Sequence, residues 1–172
     1  MHLELRTATA EETRSIGGAI SPLLSAGDAI ALTGELGSGK TTFAQGLARG
    51  LGYEGHVVSP TFTLVREYRP ARLPVIHADV YRLERAQDVL DLELEYSAEG
   101  GVLLVEWGDA VEALLPDGHL VVELAIDDRD DDRGDERRIV VRTEGRTWLP
   151  RWERLERQVE PWRSDRAAGE AS

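Results

Sequence analysis

Apolar positions along the chain recur with two periods that take turns. LELRT, residues 3 to 7, alternates and predicts a short edge strand. In TAEETRSIGGAISPLL, Ile16, Ala19, Ile20 and Leu23 return at helical spacing, with Thr9 placed to cap the helix and Glu12 to complete a capping box. DAIALTG is apolar from Ala29 to Leu32 and ends in glycine, which predicts a buried strand. A second helix follows through Thr42, Phe43, Leu47 and Leu51, stopped by Gly50 and Gly52. VVSPTFTLVREY holds a strand after its proline, PVIHAD another, AQDVLDLEL a short helix and GVLLVEW an apolar strand. HLVVELAI and RRIVVRT flank the acidic stretch DDRDDDRGDE and predict an antiparallel hairpin, and TWLPRWERLERQVE predicts a closing helix broken near Pro150.

Strand and helix patterns in alternation predict an α/β fold: a mixed, mainly parallel β-sheet flanked by helices, with the antiparallel hairpin at its C-terminal end. A chain of 172 residues with 41% hydrophobic content suits one domain over residues 1–160, followed by a flexible tail over 161–172. There is no cysteine, so disulfides and thiolate metal sites are excluded. Apolar runs fall far short of a membrane span, and the N-terminus lacks the pattern of a signal peptide, which points to the cytoplasm. A formal net charge of -12 argues against unaided binding of nucleic acid, because phosphate-backbone affinity comes from clustered Lys and Arg.

The charge pattern singles out one position. Lys40 is the only lysine, while arginine occurs nineteen times. It lies in GELGSGKTTF, where Gly34, Gly39, Lys40 and Thr41 satisfy G-x-x-x-x-G-K-[ST] between an apolar strand and a helix start, the context a P-loop requires. Glycines there let successive backbone N–H groups surround a β-phosphate at the positive end of a helix. A compact ammonium fits inside such a cradle and reaches β- and γ-phosphate oxygens together, whereas the planar fork of arginine suits open bidentate contacts. Thr41 supplies a hydroxyl for Mg²⁺.

A P-loop also needs an acid near the metal, at the end of a neighbouring buried strand. VLLVE, ending at Glu106, has that form, and Asp79 at the end of PVIHAD is a second acid, placed to hold a metal-bound or attacking water. Other candidates read more simply as structure. His77 and the remaining histidines lack metal-ligand spacing, so His77 is expected to be a packed strand residue. DDRDDDRGDE lacks the ligand spacing of a calcium loop and reads as a solvated hairpin tip, and the tryptophans of TWLPRWERLERQ read as packing residues.

Four motifs in order, GELGSGKTTF, SPTFTLVREY at 59–68, HADVYRL at 77–83 and LVEW at 104–107, resemble TsaE, the bacterial ATPase subunit of tRNA threonylcarbamoyladenosine biosynthesis. The resemblance covers residues 9–126. Ala78 and Val80 stand where the family pattern has larger apolar residues and Glu35 replaces a commoner Asp, neither change removing a functional group; the acidic hairpin tip is longer than usual, so no nucleotide contact is carried over to that loop. The resemblance implies a P-loop NTPase fold that binds ATP with Mg²⁺ and hydrolyses it weakly alone. It also implies action with the partner subunits TsaD and TsaB, resetting their complex between turnovers, with tRNA contacted only through those partners and no membrane association. Carried over by position, Leu36, Gly37, Ser38, Gly39, Lys40, Thr41 and Thr42 hold the phosphates, Thr41 and Glu106 hold Mg²⁺, and Asp79, Lys40 and Thr61 act in hydrolysis. Ser59, Pro60 and Thr61 begin a switch-like segment beside the γ-phosphate, Thr9 contacts the nucleotide from the first helix, and Trp107 packs beside the metal acid. Two rival readings stay open: a small-molecule kinase, for which the chain has no spare segment between its motifs to form a lid, and a nucleotide-sensing interaction module without hydrolysis.

Overall fold

The computed structural model describes residues 1–69, 72–81, 99–107, 112–127, 135–143 and 145–164. Along these run β1 (His2–Thr7), α1 (Ala10–Ile20), β2 (Ala29–Thr33), α2 (Lys40–Gly50), β3 (Val65–Tyr68), β4 (Val75–Asp79), β5 (Val102–Glu106), β6 (Leu120–Ile126), β7 (Arg137–Thr143) and a last helix, α3 (Leu149–Val159). The expected helix in AQDVLDLEL and the hairpin tip at 128–134 lie outside the described residues.

The strands form one sheet in the order β1-β7-β6-β2-β5-β4-β3. β2, buried at every position, lies between β5 and β6 and runs parallel to both, and β4 is parallel to β5. Strands covered on both faces have no solvent side to alternate towards, which is why β2, β4 and β5 read as continuous apolar runs. The antiparallel pairs are at the margins: β3 with β4, β7 with β6, and β1 with β7. Thus β1, β2, β4, β5 and β6 point one way and only β3 and β7 the other, the mixed, mainly parallel sheet expected.

Side chains alternate across the sheet with a period of two. Ile30, Leu32, Val75, Val102, Leu104 and Val122 face a core completed by Ile16, Phe43, Leu47 and Leu155 of the helices. Ala29, Ile76, Ala78, Leu103 and Val105 face the other way. Each large aliphatic side chain so buried contributes roughly 1.5–3 kcal/mol of transfer free energy. The same parity puts His77 and Asp79 on the face of Val75, and Glu106 on the face of Val102 and Leu104, beneath α2.

α1 begins as its sequence requires: Thr9 Oγ1 accepts the Glu12 N–H at 3.2 Å, and the Glu12 carboxylate accepts the Ala8 N–H, so one first-turn donor and the N–H just ahead of the cap are satisfied. α1 and α2 then cross with their backbones nearly touching. A Cβ on Gly46 would lie 1.9 Å from the Arg14 carbonyl oxygen, and one on Gly17 2.4 Å from that of Phe43.

Two expectations about the C-terminal region are corrected. Pro150 does not break the closing helix; it lies in the first turn of α3, where its missing N–H would have had no helical partner. The tail expected from Pro161 does not hold for its first four residues: Trp162 packs on the core, Leu5 bridges Arg163, and Ser164 Oγ donates to the Glu4 carbonyl at 2.8 Å. The tryptophans at and within the start of α3 do pack as expected, with Trp148, at its N-cap, and Trp152 buried. Among the described residues no helix is long and apolar enough to cross a membrane.

Candidate functional site

The loop between β2 and α2 sits at the end of the sheet where the parallel strands finish. Gly34, Gly37 and Gly39 all have left-handed φ, at 126°, 81° and 108°. At Gly34 a side chain is excluded twice over, by this conformation and because its Cβ would lie 2.0 Å from the Leu124 carbonyl oxygen. No side chain caps α2 at Gly39, so the positive end of the helix and its first N–H groups are directed into the loop. Lys40 folds back inside: Nζ donates to the carbonyls of Gly34 at 2.7 Å and Glu35 at 2.8 Å, and lies 4.0 Å from the centre of the Trp107 ring. Trp107 holds φ at 62°, uncommon for a bulky residue, and packs at 4.8 Å against Tyr81. Strain of this kind persists where surrounding contacts impose it.

Beneath the loop, Thr41 Oγ1 donates to Glu106 Oε1 at 2.9 Å. β4 and β5 are in register with Asp79 opposite Glu106, and both carboxylates are buried. Asp79 Oδ2 accepts hydrogen bonds from Thr61 Oγ1 at 2.7 Å and Ser59 Oγ at 3.2 Å, and Oδ1 accepts the Tyr81 N–H at 2.9 Å. A cavity of about 240 Å³ brings the loop residues Leu36, Gly37, Gly39, Lys40, Thr41 and Thr42 together with Thr61, Asp79 and Glu106. A larger cavity, about 570 Å³ beside Arg14, Gln45 and Tyr53, gathers none of these groups, so the smaller one is the candidate site.

Two expected nucleotide contacts are placed differently. Thr9 does not line the cavity; its hydroxyl caps α1. Ser38 Oγ is fully buried and has no hydrogen-bond partner among the described residues, while the Ser38 carbonyl accepts from Arg137 Nε at 3.0 Å. Arg137, which also donates to the Gly37 carbonyl at 3.2 Å, fastens the outside of the loop from β7. RRIVVRT carries no signal for this, since the contact spans 99 residues of sequence. His77 is a buried strand residue as expected, yet its Nε2 also lies 2.9 Å from Glu106 Oε1.

The groups fit the ligands they were read for. The left-handed glycines, the uncapped helix start and a buried ammonium form an anion cradle. One threonine hydroxyl and one carboxylate match Mg²⁺, which is held by one or two carboxylates plus substrate phosphates and water rather than by an all-protein cage.

Comparison with known proteins settles the relationship. The family model described as "Threonylcarbamoyl adenosine biosynthesis protein TsaE" matches residues 7–139. The chain belongs to the TsaE family. It is 44% identical over 128 residues to the TsaE of Bacillus subtilis, covering 73% of this chain and 80% of that protein. It is 41% identical over 140 residues to the TsaE of Streptomyces coelicolor, covering 78% and 93%. The crystal structure of Bacillus subtilis YdiB superposes with a TM-score of 0.74 at 35% identity, covering 91% of this chain and 95% of that one. The TsaE match contains the whole of the cavity just described, whereas α3 lies beyond it. The fold is that of a P-loop NTPase.

Proposed function

We propose that this TsaE-family chain binds ATP with Mg²⁺, hydrolyses it slowly, and serves tRNA threonylcarbamoyladenosine biosynthesis by resetting a complex of TsaD and TsaB between turnovers. The relatives in Bacillus subtilis and Streptomyces coelicolor are each named a tRNA threonylcarbamoyladenosine biosynthesis protein, which supports the pathway. The observation that carries the nucleotide chemistry is the 2.9 Å contact between Thr41 and Glu106, which joins the first turn of the P-loop helix to the end of the adjacent buried strand.

On this reading the loop N–H groups and Lys40 bind the phosphates, while Thr41 and Glu106 hold Mg²⁺, which would neutralise charge on the β- and γ-phosphates. Asp79 orients the attacking water. Its carboxylate is occupied by the Ser59 and Thr61 hydroxyls, so it is released for that task only when the 59–63 segment moves. That arrangement supports slow hydrolysis by the isolated chain and stimulation by partners that move the segment off Asp79. An acidic protein suits the role, because tRNA contact is left to the partners.

The test is phosphate release by the purified chain, alone and with TsaD and TsaB. Slow release that rises with both partners, and a Thr61→Ala variant that loses stimulation more than ATP affinity, are expected. Transfer of phosphate to a small molecule would favour a kinase, and nucleotide binding with no release in either condition would favour a sensing module.

A further inference from the structure

Behind the two acids lie two buried polar side chains that this chemistry leaves without a task. His77 is fully buried on β4, and Tyr68, on β3, is nearly so. His77 Nε2 is 2.9 Å from Glu106 Oε1. A carboxylate only accepts, so Nε2 carries the hydrogen, and in the neutral ring Nδ1 is left as an acceptor. Tyr68 Oη is 3.4 Å from that Nδ1 and 2.9 Å from the Val58 carbonyl oxygen. Burial pushes the Tyr68 phenol above its ordinary pKa, so the hydroxyl keeps its hydrogen. One hydrogen then faces two acceptors, and at these distances the Val58 carbonyl holds it.

Val58 immediately precedes Ser59, which with Thr61 occupies Asp79. The neighbouring carbonyl, of Val57, accepts from Gln45 Nε2 on the P-loop helix at 3.1 Å. The root of the segment is therefore gripped by a side chain from α2 and another from β3. A single line of contacts runs from Thr41 through Glu106, His77 and Tyr68 to Val58. Packing alone would not require it. Leucine and phenylalanine fill interior strand positions without having to satisfy buried imidazole and phenol groups.

We infer that His77 and Tyr68 are positioning residues that couple the carboxylate of Glu106 to the 57–63 segment, the Tyr68 hydroxyl turning from the Val58 carbonyl to His77 Nδ1 when that segment moves. The inference rests on the reading of Glu106 as the metal acid. It makes the grip on the segment depend on the state of the metal site, and the reverse.

Two variants test it, each first shown to keep the wild-type unfolding midpoint. Tyr68→Phe retains the ring and deletes only the hydroxyl. His77→Gln retains a donor for Glu106 and deletes the Nδ1 acceptor. The readouts are the Mg²⁺ concentration for half-maximal ATP binding, ATP affinity in EDTA, and amide hydrogen exchange of residues 57–63 with ATP in the presence and absence of Mg²⁺. In the wild type Mg²⁺ should slow exchange in that segment. In Tyr68→Phe the Mg²⁺ requirement should rise about three- to tenfold, the loss of one buried hydrogen bond, with affinity in EDTA unchanged and the Mg²⁺-dependent slowing gone. His77→Gln, which keeps a donor for Glu106 but deletes the same Tyr68 contact, should raise the Mg²⁺ requirement by a similar factor and also lose the slowing. Wild-type values of both readouts in Tyr68→Phe would overturn the coupling while leaving the nucleotide reading intact. A wild-type chain that binds ATP no better with Mg²⁺ than in EDTA would overturn the metal reading itself, and the coupling with it.

Discussion

Replacing Lys40 by alanine should weaken ATP binding about thirtyfold and leave the fold standing. In the protein as described, Nζ is already engaged by the Gly34 and Glu35 carbonyls at 2.7 and 2.8 Å and by the Trp107 ring. A bound triphosphate must outbid these contacts. Two phosphate charges at about 4 Å, at an effective dielectric of about 20, attract the ammonium by roughly 8 kcal/mol in all. Two charge-assisted hydrogen bonds given up cost roughly 3–6 kcal/mol, which leaves about 2–5 kcal/mol. Screening by water and Mg²⁺ selects the lower end, and 2 kcal/mol is about thirtyfold at 1.4 kcal/mol per decade. Lys40→Arg should fail nearly as badly, since a planar fork does not fit between two loop carbonyls and an indole face. Calorimetric titration of Mg²⁺·ATP measures the affinity and a thermal melt checks folding. A folded Lys40→Ala variant within threefold of wild-type affinity would refute the assignment of this lysine to the phosphates.

Three further predictions follow from other parts of the molecule. Glu106→Gln should reduce the Mg²⁺ dependence of ATP binding, whereas Asp79→Asn should spare affinity and lower turnover at least tenfold, measured by titration and phosphate release. Gly46→Ala should lower the unfolding free energy read from urea melts by about 1–3 kcal/mol, because its Cβ would lie 1.9 Å from the Arg14 carbonyl oxygen and α1 would have to move away. Arg142 holds the Glu112 carboxyl below its ordinary 4.5 through paired contacts at 3.0 Å, so the pair stabilises the fold above that value and its contribution disappears as pH falls through the lowered folded pKa. Urea melts of Arg142→Gln should therefore differ from wild type at pH 7, by about 1 kcal/mol for a half-buried pair still screened by water, and converge towards pH 3.

What could be read from the sequence were features that a few neighbouring residues decide. Thr9 and Glu12 announce the start of α1 because a cap is a local hydrogen-bond requirement. β2 and β5 are legible because a strand covered on both faces has no polar positions, and the P-loop because its glycines, lysine and threonine are contiguous. Periodicity reports which face of an element is buried but not what covers it. It could place His77 in the interior without showing that Glu106 is its neighbour, for that follows from β4 and β5 being adjacent and in register. Arg137 is hidden for the same reason, since β7 reaches the loop only through the strand order β7-β6-β2. Pro150 misled because proline has opposite meanings one turn apart, a breaker inside a helix and a favoured residue in its first turn. Trp162 and Ser164 looked like the start of a tail because a few residues laid against an edge strand leave no periodic trace.

The charge of the site explains why a cation belongs in the proposed chemistry. Asp79 and Glu106 are buried side by side in a protein whose formal net charge is -12, and Lys40 is its one lysine. A triphosphate entering the cavity meets two carboxylates, each repelling a nearby phosphate charge by several kcal/mol at an effective dielectric of about 20, which a single ammonium cannot offset. In the protein as described, Glu106 is quieted by hydrogen bonds from Thr41 and His77, and Asp79 by those from Ser59, Thr61 and Tyr81. Those donors stabilise the carboxylates without changing their sign. Held by Thr41 and Glu106, a divalent ion would supply the positive charge that offsets this repulsion, at the carboxylate oxygen that Thr41 and His77 now share. On the proposed reading, admission of the nucleotide and rearrangement behind Glu106 would be one event, and the hydroxyl-bound Asp79 would stay in reserve until the 59–63 segment lets go of it.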